Sequence, residues 1–94
     1  MTSRATRRFW ELYAALPVEV QQQAQKAHEL FQQNPSHPSL RFKRVHATQP
    51  IYSVRISRDY RAVGVVRGDT VIWFWIGNHD DYERLLRESG FGNS

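Results

Sequence analysis

Residues 52–63 read YSVRISRDYRAV, and this stretch decides the fold class of the chain. Tyr52, Val54 and Ile56 alternate with Ser and Arg side chains, which is the period of a half-buried β-strand. Arg58 and Asp59 form a tight connection to a second strand candidate at residues 60–66. The stretch therefore predicts two antiparallel strands of one sheet.

The flanking segments add two more strands and a helix to this hairpin. Residues 67–69 (RGD) predict a turn, and the VIWFWI that follows at 71–76 is apolar on both faces, as a strand inside a sheet requires. After this strand, Asp80 or Asp81 is a suitable cap for a last short helix. On the N-terminal side, residues 40–45 predict a further short strand.

The first third of the chain has a helical period instead. Apolar residues recur at helical spacing in residues 6–16 and again in 18–33, with Pro17 as the first residue of the second helix. The pattern predicts a single α+β domain over residues 1–94, with two N-terminal helices packed on an antiparallel sheet of about four strands and a short C-terminal helix. The predicted core contains Phe9, Leu12, Leu16, Val20, Phe31, Ile56, Ile72 and Phe74 or its neighbours.

Composition excludes several classes of protein. There are no cysteines, so a disulfide scaffold and a thiolate metal site are ruled out. The hydrophobic content of 40% is too high for a disordered chain, and no apolar run approaches the roughly 20 residues of a membrane span. The sequence contains no metal-ligand cluster and no Gly-rich phosphate loop, and residues 1–10 lack the apolar stretch of a signal peptide. It predicts a cytoplasmic protein with neither a cofactor nor a membrane partner.

Positive charge is concentrated in the middle of the chain. The net charge is +4, but residues 41–67 hold seven Lys or Arg against the single acid Asp59, a balance of +6. Most of the 13 basic residues are Arg, whose planar fork suits bidentate binding of phosphate. The pattern indicates a polyanionic partner, and the alternative is a solvated basic face.

Several motifs together resemble the RelE/ParE superfamily of bacterial type II toxins. They are the helical pair, NPSHPSLRFKRV at 34–45, YSVRISRDYRAV at 52–63 and IGNHDDYERLL at 76–86, so that the resemblance covers roughly residues 5–87. Family members usually begin with a β-strand, which residues 1–5 do not resemble, so the first family strand is predicted either to be missing or to lie upstream of Met1. The resemblance also implies a cognate antitoxin as a protein partner.

The resemblance implies more than one function. Most members of the family cleave messenger RNA, many of them on the ribosome, whereas the ParE branch poisons DNA gyrase. The favoured interpretation is a metal-independent endoribonuclease that acts on mRNA, with mRNA and the ribosome as partners. The alternatives are a gyrase poison without nuclease chemistry and an inactive relative that binds nucleic acid.

Metal-free RNA cleavage needs a base for the 2′-hydroxyl proton, cations for the phosphorane and an acid for the leaving 5′-oxygen. Arg61, directly after Tyr60, matches a family position that often carries function, and is predicted to hold the scissile phosphate with help from Arg55. A three-residue turn sets Arg55 opposite Arg61, whereas a two-residue turn sets it opposite Ala62. The structural alternatives are a cross-strand salt bridge, or pairing of Arg58 and Arg61 with Asp59.

His79 is the predicted proton-transfer group. An imidazole exchanges a proton near neutral pH, and the Gly-x-His-Asp segment matches a family position that often carries a catalytic His or Arg. The alternative is a loop or capping histidine, and His46 is a weaker candidate. Trp73 and Trp75, predicted to point the same way, either stack on bases or join the core. The remaining predicted RNA contacts are Arg41, Lys43, Arg44, Arg58 and Tyr82.

Overall fold

A computed structural model describes residues 1–88 of the chain. The elements follow in the order β1 (Thr2–Ala5), α1 (Arg7–Ala14), α2 (Val18–Gln33), a 3₁₀ turn (Pro38–Leu40), β2 (Lys43–Arg44), β3 (Ile51–Ser57), β4 (Tyr60–Arg67), β5 (Thr70–Asn78) and α3 (His79–Glu88). The predicted α+β class is confirmed. None of the helices in this part of the chain is long and apolar enough to cross a membrane.

The five strands form one mixed sheet in the order β1-β5-β4-β3-β2. From β2 to β5 each strand runs antiparallel to its neighbour, as predicted, whereas β1 runs parallel to β5. Helix α1 packs on β5 and α2 packs on β3. The helical pair thus covers one face of the sheet, the helical face, which carries Val54, Ala62 and Ile76. The opposite face, the open face, carries Ser53 and Val63.

The prediction that the first strand is missing is wrong, because Thr2–Ala5 forms β1. The outer edge of β5 presents backbone groups that need hydrogen-bond partners. The Thr2 amide donates to the carbonyl of Asp69 (2.9 Å), and the Thr6 amide donates to that of Trp73 (2.9 Å). Strand β1 is therefore specified by its neighbour rather than by the β-propensity of its own side chains.

Local backbone features set the other boundaries. The Thr6 Oγ1 accepts a hydrogen bond from the Phe9 amide (3.1 Å), so Thr6 caps α1 and the helix begins at the next residue. Helix α2 coincides with the predicted 18–33, and Pro17 caps it rather than forming its first residue. The strand predicted over 40–45 shrinks to β2, because Leu40 closes the 3₁₀ turn and Arg41 has a left-handed φ of 46°.

The core lies between the helices and the helical face of the sheet. Phe31 is 1% exposed, and its ring meets those of Phe42 and Trp73 edge-on at centroid separations of 4.9 and 5.5 Å. Such pairs add to the roughly 1.5–3 kcal/mol that burial of a large apolar side chain contributes. Most of the predicted core is confirmed as buried or as half-buried against this cluster: Phe9, Leu12, Leu16, Val20, Phe31 and Ile56.

A β-bulge at Phe74 reorders the aromatic side chains of β5. Trp73 pairs with Gly64 whereas Trp75 pairs with Val63, so Phe74 is an extra residue between the two pairs. A Cβ on Gly64 would lie 2.8 Å from Trp73 Cε3, so glycine makes room for the indole ring. Trp73 and Trp75 therefore lie on opposite faces, and the prediction that they point the same way is wrong.

The same bulge corrects the predicted core contribution of β5. The residues of this strand that belong to the core cluster are Val71, Trp73 and Ile76. The prediction of Ile72 is wrong, whereas the prediction of Phe74 or its neighbours is met by Trp73. Ile72 alternates with its neighbours and falls on the open face. Alternation alone could not decide which side chains of this strand point inward, because VIWFWI is apolar at every position.

Candidate active site

The β3–β4 hairpin sets two predicted site residues side by side. Arg55 pairs with Arg61 in the register of the sheet. The loop has only two residues, Arg58 and Asp59, but a bulge at Ile56 takes up one residue of β3 and produces the pairing predicted for the longer turn. Directly opposite residues of antiparallel strands have Cα atoms about 4.5–5.5 Å apart. Both guanidinium groups therefore rise from the same part of the open face.

The guanidinium of Arg61 is anchored to the turn that precedes it. Its Nη1 donates to the carbonyl oxygens of Ser57 (2.8 Å), Tyr60 (3.0 Å) and Arg58 (3.2 Å). All three bonds use one nitrogen, so Nε and Nη2 keep donor capacity for an anion. Within residues 1–88 no ion pair joins Arg61 to Asp59, so the alternative of a cross-strand salt bridge is not formed.

Burial and charge act in the same direction on Arg61. Partial burial lowers the pKa of Arg61, and the positive charge of Arg55 lowers this pKa further. Tyr82 raises the pKa of Arg61 to a lesser extent, and Asp59 raises it least of all. Because a guanidinium keeps its proton at any working pH, the result is a positive charge that the protein itself compensates poorly. A bound phosphate would supply the missing negative charge.

The third predicted catalytic residue, His79, lies at the same end of the hairpin. Gly77, two residues earlier, pairs with Arg61, and the His79 amide donates to the carbonyl of Asp59 (2.7 Å). The His79 Nε2 lies 3.9 Å from Oε2 of Glu83, and the two side chains are 46% and 47% exposed. The imidazole is thus open to a substrate beside the paired arginines.

These side chains line one groove of about 660 Å³ on the open face, named the basic groove here. Its floor comes from β3 and β4, one wall from α3 and the other from the segment around β2. Among the predicted catalytic residues and RNA contacts, Arg58 lies outside it, exposed in the hairpin turn, as does the weaker candidate His46. The groove brings together the other predicted residues: Arg41, Lys43, Arg44, Arg55, Arg61, His79 and Tyr82.

Sequence reasoning missed three polar residues that line the basic groove, namely Ser53, Glu83 and Arg87. Glu83 and Arg87 follow His79 by four and eight residues, a helical spacing that places all three on one stripe of α3. That spacing was the signal in the sequence that could have found them. Glu83 is the single carboxylate among six Lys or Arg side chains of the groove. In the described part of the chain, no group of His, Asp and Glu side chains could hold a metal ion.

The cap of α3 also differs from the prediction. The Asn78 Oδ1 accepts from the Asp81 amide (2.8 Å), so Asn78 takes the capping role predicted for Asp80 or Asp81. Asp81 instead binds Arg84 through its carboxylate (3.2 Å). Asp81 and Arg84 do not line the basic groove. The net charge of the groove is therefore positive and comes from its Lys and Arg residues.

The loop after β2 is held by its own polar side chains. Arg44 donates from Nε to the carbonyl of Gln49 (3.1 Å) and from Nη2 to that of Ala47 (3.4 Å). The Nδ1 of His46 accepts from the amides of Thr48 (3.1 Å) and Gln49 (2.9 Å). His46, the weaker catalytic candidate, thus organises this loop and does not line the basic groove.

Tyr82, a predicted RNA contact, lies beneath the surface of the groove. It is 5% exposed, and its hydroxyl donates to the Oγ of Ser53 (3.0 Å), which is 2% exposed. The Tyr82 ring centroid lies 6.4 Å from that of Trp75 and 6.1 Å from that of His79. This burial favours a supporting role, in which Tyr82 ties α3 to β3 and so fixes the position of His79.

Replacing Tyr82 with phenylalanine is expected to lower the free energy of unfolding by about 1–3 kcal/mol, because the Ser53 hydroxyl is left buried without its partner. Denaturant unfolding followed by tryptophan fluorescence measures the change. The control is the Ser53→Ala/Tyr82→Phe double variant, which should lose less than the sum of the two single variants. Strict additivity would show that the two hydroxyl groups do not stabilise each other.

A second groove, of about 300 Å³, is apolar and lies on the helical face between α1 and α2. Trp10 at its rim is 55% exposed, and its ring packs edge-on against those of Phe9 (5.3 Å) and Tyr13 (5.4 Å). An exposed aromatic cluster beside an apolar groove is typical of a surface that binds another protein.

The chain thus has two helices on one face of a five-stranded sheet and a basic groove on the other face. Residues 18–84 match the family model described as the ParE-like toxin domain. The chain therefore belongs to the ParE-like toxin family.

Solved structures of such toxins share this fold. A chain of the RelB–RelE antitoxin–toxin complex from Methanococcus jannaschii matches with a TM-score of 0.70 at 18% identity, over 86% of this chain and 95% of that one. YafQ from E. coli matches with a TM-score of 0.69 at 7% identity, over 85% and 94%. The isolated E. coli RelE toxin matches with a TM-score of 0.63 at 16% identity, over 94% and 97%. No curated protein sequence matches the chain.

Proposed function

We propose that this toxin is a metal-independent endoribonuclease that cleaves messenger RNA on the ribosome, in the cytoplasm. The observation that supports the proposal most is that Arg55 and Arg61 pair at the end of the hairpin where His79 begins α3. All three side chains line the basic groove. The groove therefore has cations for a phosphate and a proton-transfer group within one site.

In the proposed reaction the 2′-oxygen attacks the adjacent phosphorus, and the bond from phosphorus to the 5′-oxygen breaks. The products are a 2′,3′-cyclic phosphate and a free 5′-hydroxyl, so one proton leaves the 2′-hydroxyl and one reaches the 5′-oxygen. His79 takes or gives one of these protons. Arg61 and Arg55 stabilise the charge that develops on the phosphorane oxygens and keep their own protons.

Two observations favour RNA cleavage over the alternatives. A gyrase poison needs no acid–base group, whereas His79 is half exposed beside two arginines that lack a carboxylate partner in the described chain. A missing first strand would favour an inactive relative, but β1 is present. Without β1, strand β5 would be an exposed edge of the sheet, a site of aggregation.

A cognate antitoxin is the proposed protein partner. Relatives from Methanococcus jannaschii, Pyrococcus horikoshii and E. coli are described as complexes of RelE with RelB. In this chain the apolar groove and the exposed Trp10 supply an apolar surface for such a partner. The basic groove, with its single carboxylate, would also attract an acidic segment of an antitoxin.

Primer extension on cellular messages after induced expression tests the proposed activity. New discrete 5′ ends are expected within messages that are being translated, because the proposed substrate is mRNA on the ribosome. Expression of a double variant, Arg61→Ala with His79→Ala, controls for cleavage by enzymes of the host. Growth arrest by the wild type with no new ends would contradict the proposal and would favour the gyrase-poison alternative.

A further inference from the structure

The cations of the basic groove extend well beyond the arginine pair at the proposed scissile phosphate. Arg87 lies on α3 eight residues after His79, and both side chains line the groove. At a rise of about 1.5 Å per residue, the two positions are about 12 Å apart along the helix axis. In a stacked strand with a rise of about 3.4 Å per nucleotide, this distance spans about three nucleotides.

The opposite wall of the groove also has a cation beyond the arginine pair. Lys43 of β2 pairs with Ser53 of β3, and Arg55 lies two residues further along β3 on the same face. At about 3.3–3.4 Å per residue, Lys43 is displaced by about 7 Å along the strands from the row that contains Arg55. Positive charge therefore lines both walls of the groove over a length greater than a single phosphate group would occupy.

The charge of the groove exceeds what one phosphate balances. The pair Arg55 and Arg61 suffices for a single phosphate group, yet six Lys or Arg residues line the groove. Arg87 makes no ion pair within residues 1–88, whereas Arg84 of the same helix is paired with Asp81 at 3.2 Å. The guanidinium of Arg87 is thus available to an anion from outside the described chain.

We propose that Arg87 binds a second phosphate of the same RNA strand, about three nucleotides from the scissile one. This inference rests on the proposed function, because it assumes that the groove binds RNA. Arg87 then sets the length of RNA that the toxin must contact for full affinity. The competing role for Arg87 is stabilisation of the last turn of α3, where a positive charge interacts favourably with the helix dipole.

Binding of uncleavable 2′-O-methyl RNA of two to six nucleotides, measured by fluorescence anisotropy, tests this second site. Wild-type affinity is expected to rise with length and to level off once both phosphates are contacted. Arg87→Gln should leave dinucleotide binding unchanged, weaken hexanucleotide binding by about threefold to tenfold and reduce the salt slope of log K by about 0.7. Arg84→Gln, the matched control on α3, should bind both oligonucleotides like the wild type.

The outcomes separate this site from the proposed function. Equal hexanucleotide affinity and salt slope in wild type and Arg87→Gln would overturn the second site and leave RNA cleavage intact. Absence of RNA binding by the wild type at low salt would overturn the proposed function itself. If Arg87→Gln weakens dinucleotide and hexanucleotide equally and lowers the unfolding temperature, the helix-stabilising role holds and the second site is overturned. Arg87→Lys, which keeps the charge, should retain the wild-type salt slope.

Discussion

Replacing Arg61 with alanine is expected to reduce RNA cleavage by about 10²–10³-fold, the usual effect of removing one charge contact to a transition state. Arg61 is placed for this contact because it pairs with Arg55 and its Nη1 is fixed by three carbonyl oxygens of the hairpin turn. Single-turnover cleavage of a labelled RNA on purified ribosomes measures the loss.

Two further variants separate the charge from the structural role of Arg61. Arg58→Ala removes a cation from the same turn but outside the basic groove, and should cleave RNA like the wild type. Arg55→Ala removes a cation that lies inside the groove. In the described structure Arg55, unlike Arg61, donates no hydrogen bond to the hairpin turn, so a loss of cleavage in this variant reports the loss of positive charge alone. Unchanged cleavage in both Arg55→Ala and Arg61→Ala would move the active site elsewhere.

The His79→Ala variant is expected to lose about 10²–10⁴-fold in cleavage rate, because general acid–base catalysis contributes an effect of that size. The fold should survive this change, since His79 is exposed and the hydrogen bond to Asp59 uses its backbone amide. The same ribosome assay measures the rate, and thermal unfolding checks the fold.

A histidine outside the basic groove is the matched control. His28 is exposed on α2 and lines the apolar groove on the other face, so His28→Ala should cleave RNA at the wild-type rate. Wild-type cleavage by His79→Ala would assign the proton transfers to another group, and Glu83, 3.9 Å away, would then be the first residue to replace.

The two helices and the β3–β4 hairpin were predictable because their side chains repeat with the period of the element. Helix α2 has the predicted bounds, and the Tyr52–Ile56 alternation falls within β3 as expected. Grouping of the basic residues at one site also followed from the sequence, since five of the six groove cations lie in residues 41–67. The antiparallel return of β5 brings His79 back to the Arg61 end of the hairpin.

The bulges at Ile56 and Phe74 were not predictable, since nothing in a period of two marks where one residue is skipped. The first bulge decides that Arg55 faces Arg61, and the second separates Trp73 from Trp75. Both bulges depend on which residues pair across neighbouring strands, and this pairing is decided by two segments of the chain together rather than by either one alone. The register therefore had to come from the structure.

Strand β1 and the α3 wall of the groove were missed for different reasons. The sequence TSRA at residues 2–5 has little β-propensity, and only the unpaired edge of β5 makes it a strand. Of the last helix beyond His79, only Tyr82 was predicted to contact RNA, and Glu83 and Arg87 were assigned no function. Their spacing from His79 was visible, but which side of the helix faces the groove depends on the buried contact of Tyr82 with Ser53.

A growing polypeptide cannot complete this sheet early in its synthesis. Strand β1 leaves the ribosome first, yet its partner in β5 begins at Thr70, so the first strand stays unpaired until most of the chain has been translated. Contacts between such distant parts of a sequence form slowly. The basic groove is completed later still, because α3, which forms one of its walls, follows β5 in the sequence. The basic groove therefore takes shape only near the end of synthesis, after both the arginine-bearing hairpin and α3 have been translated.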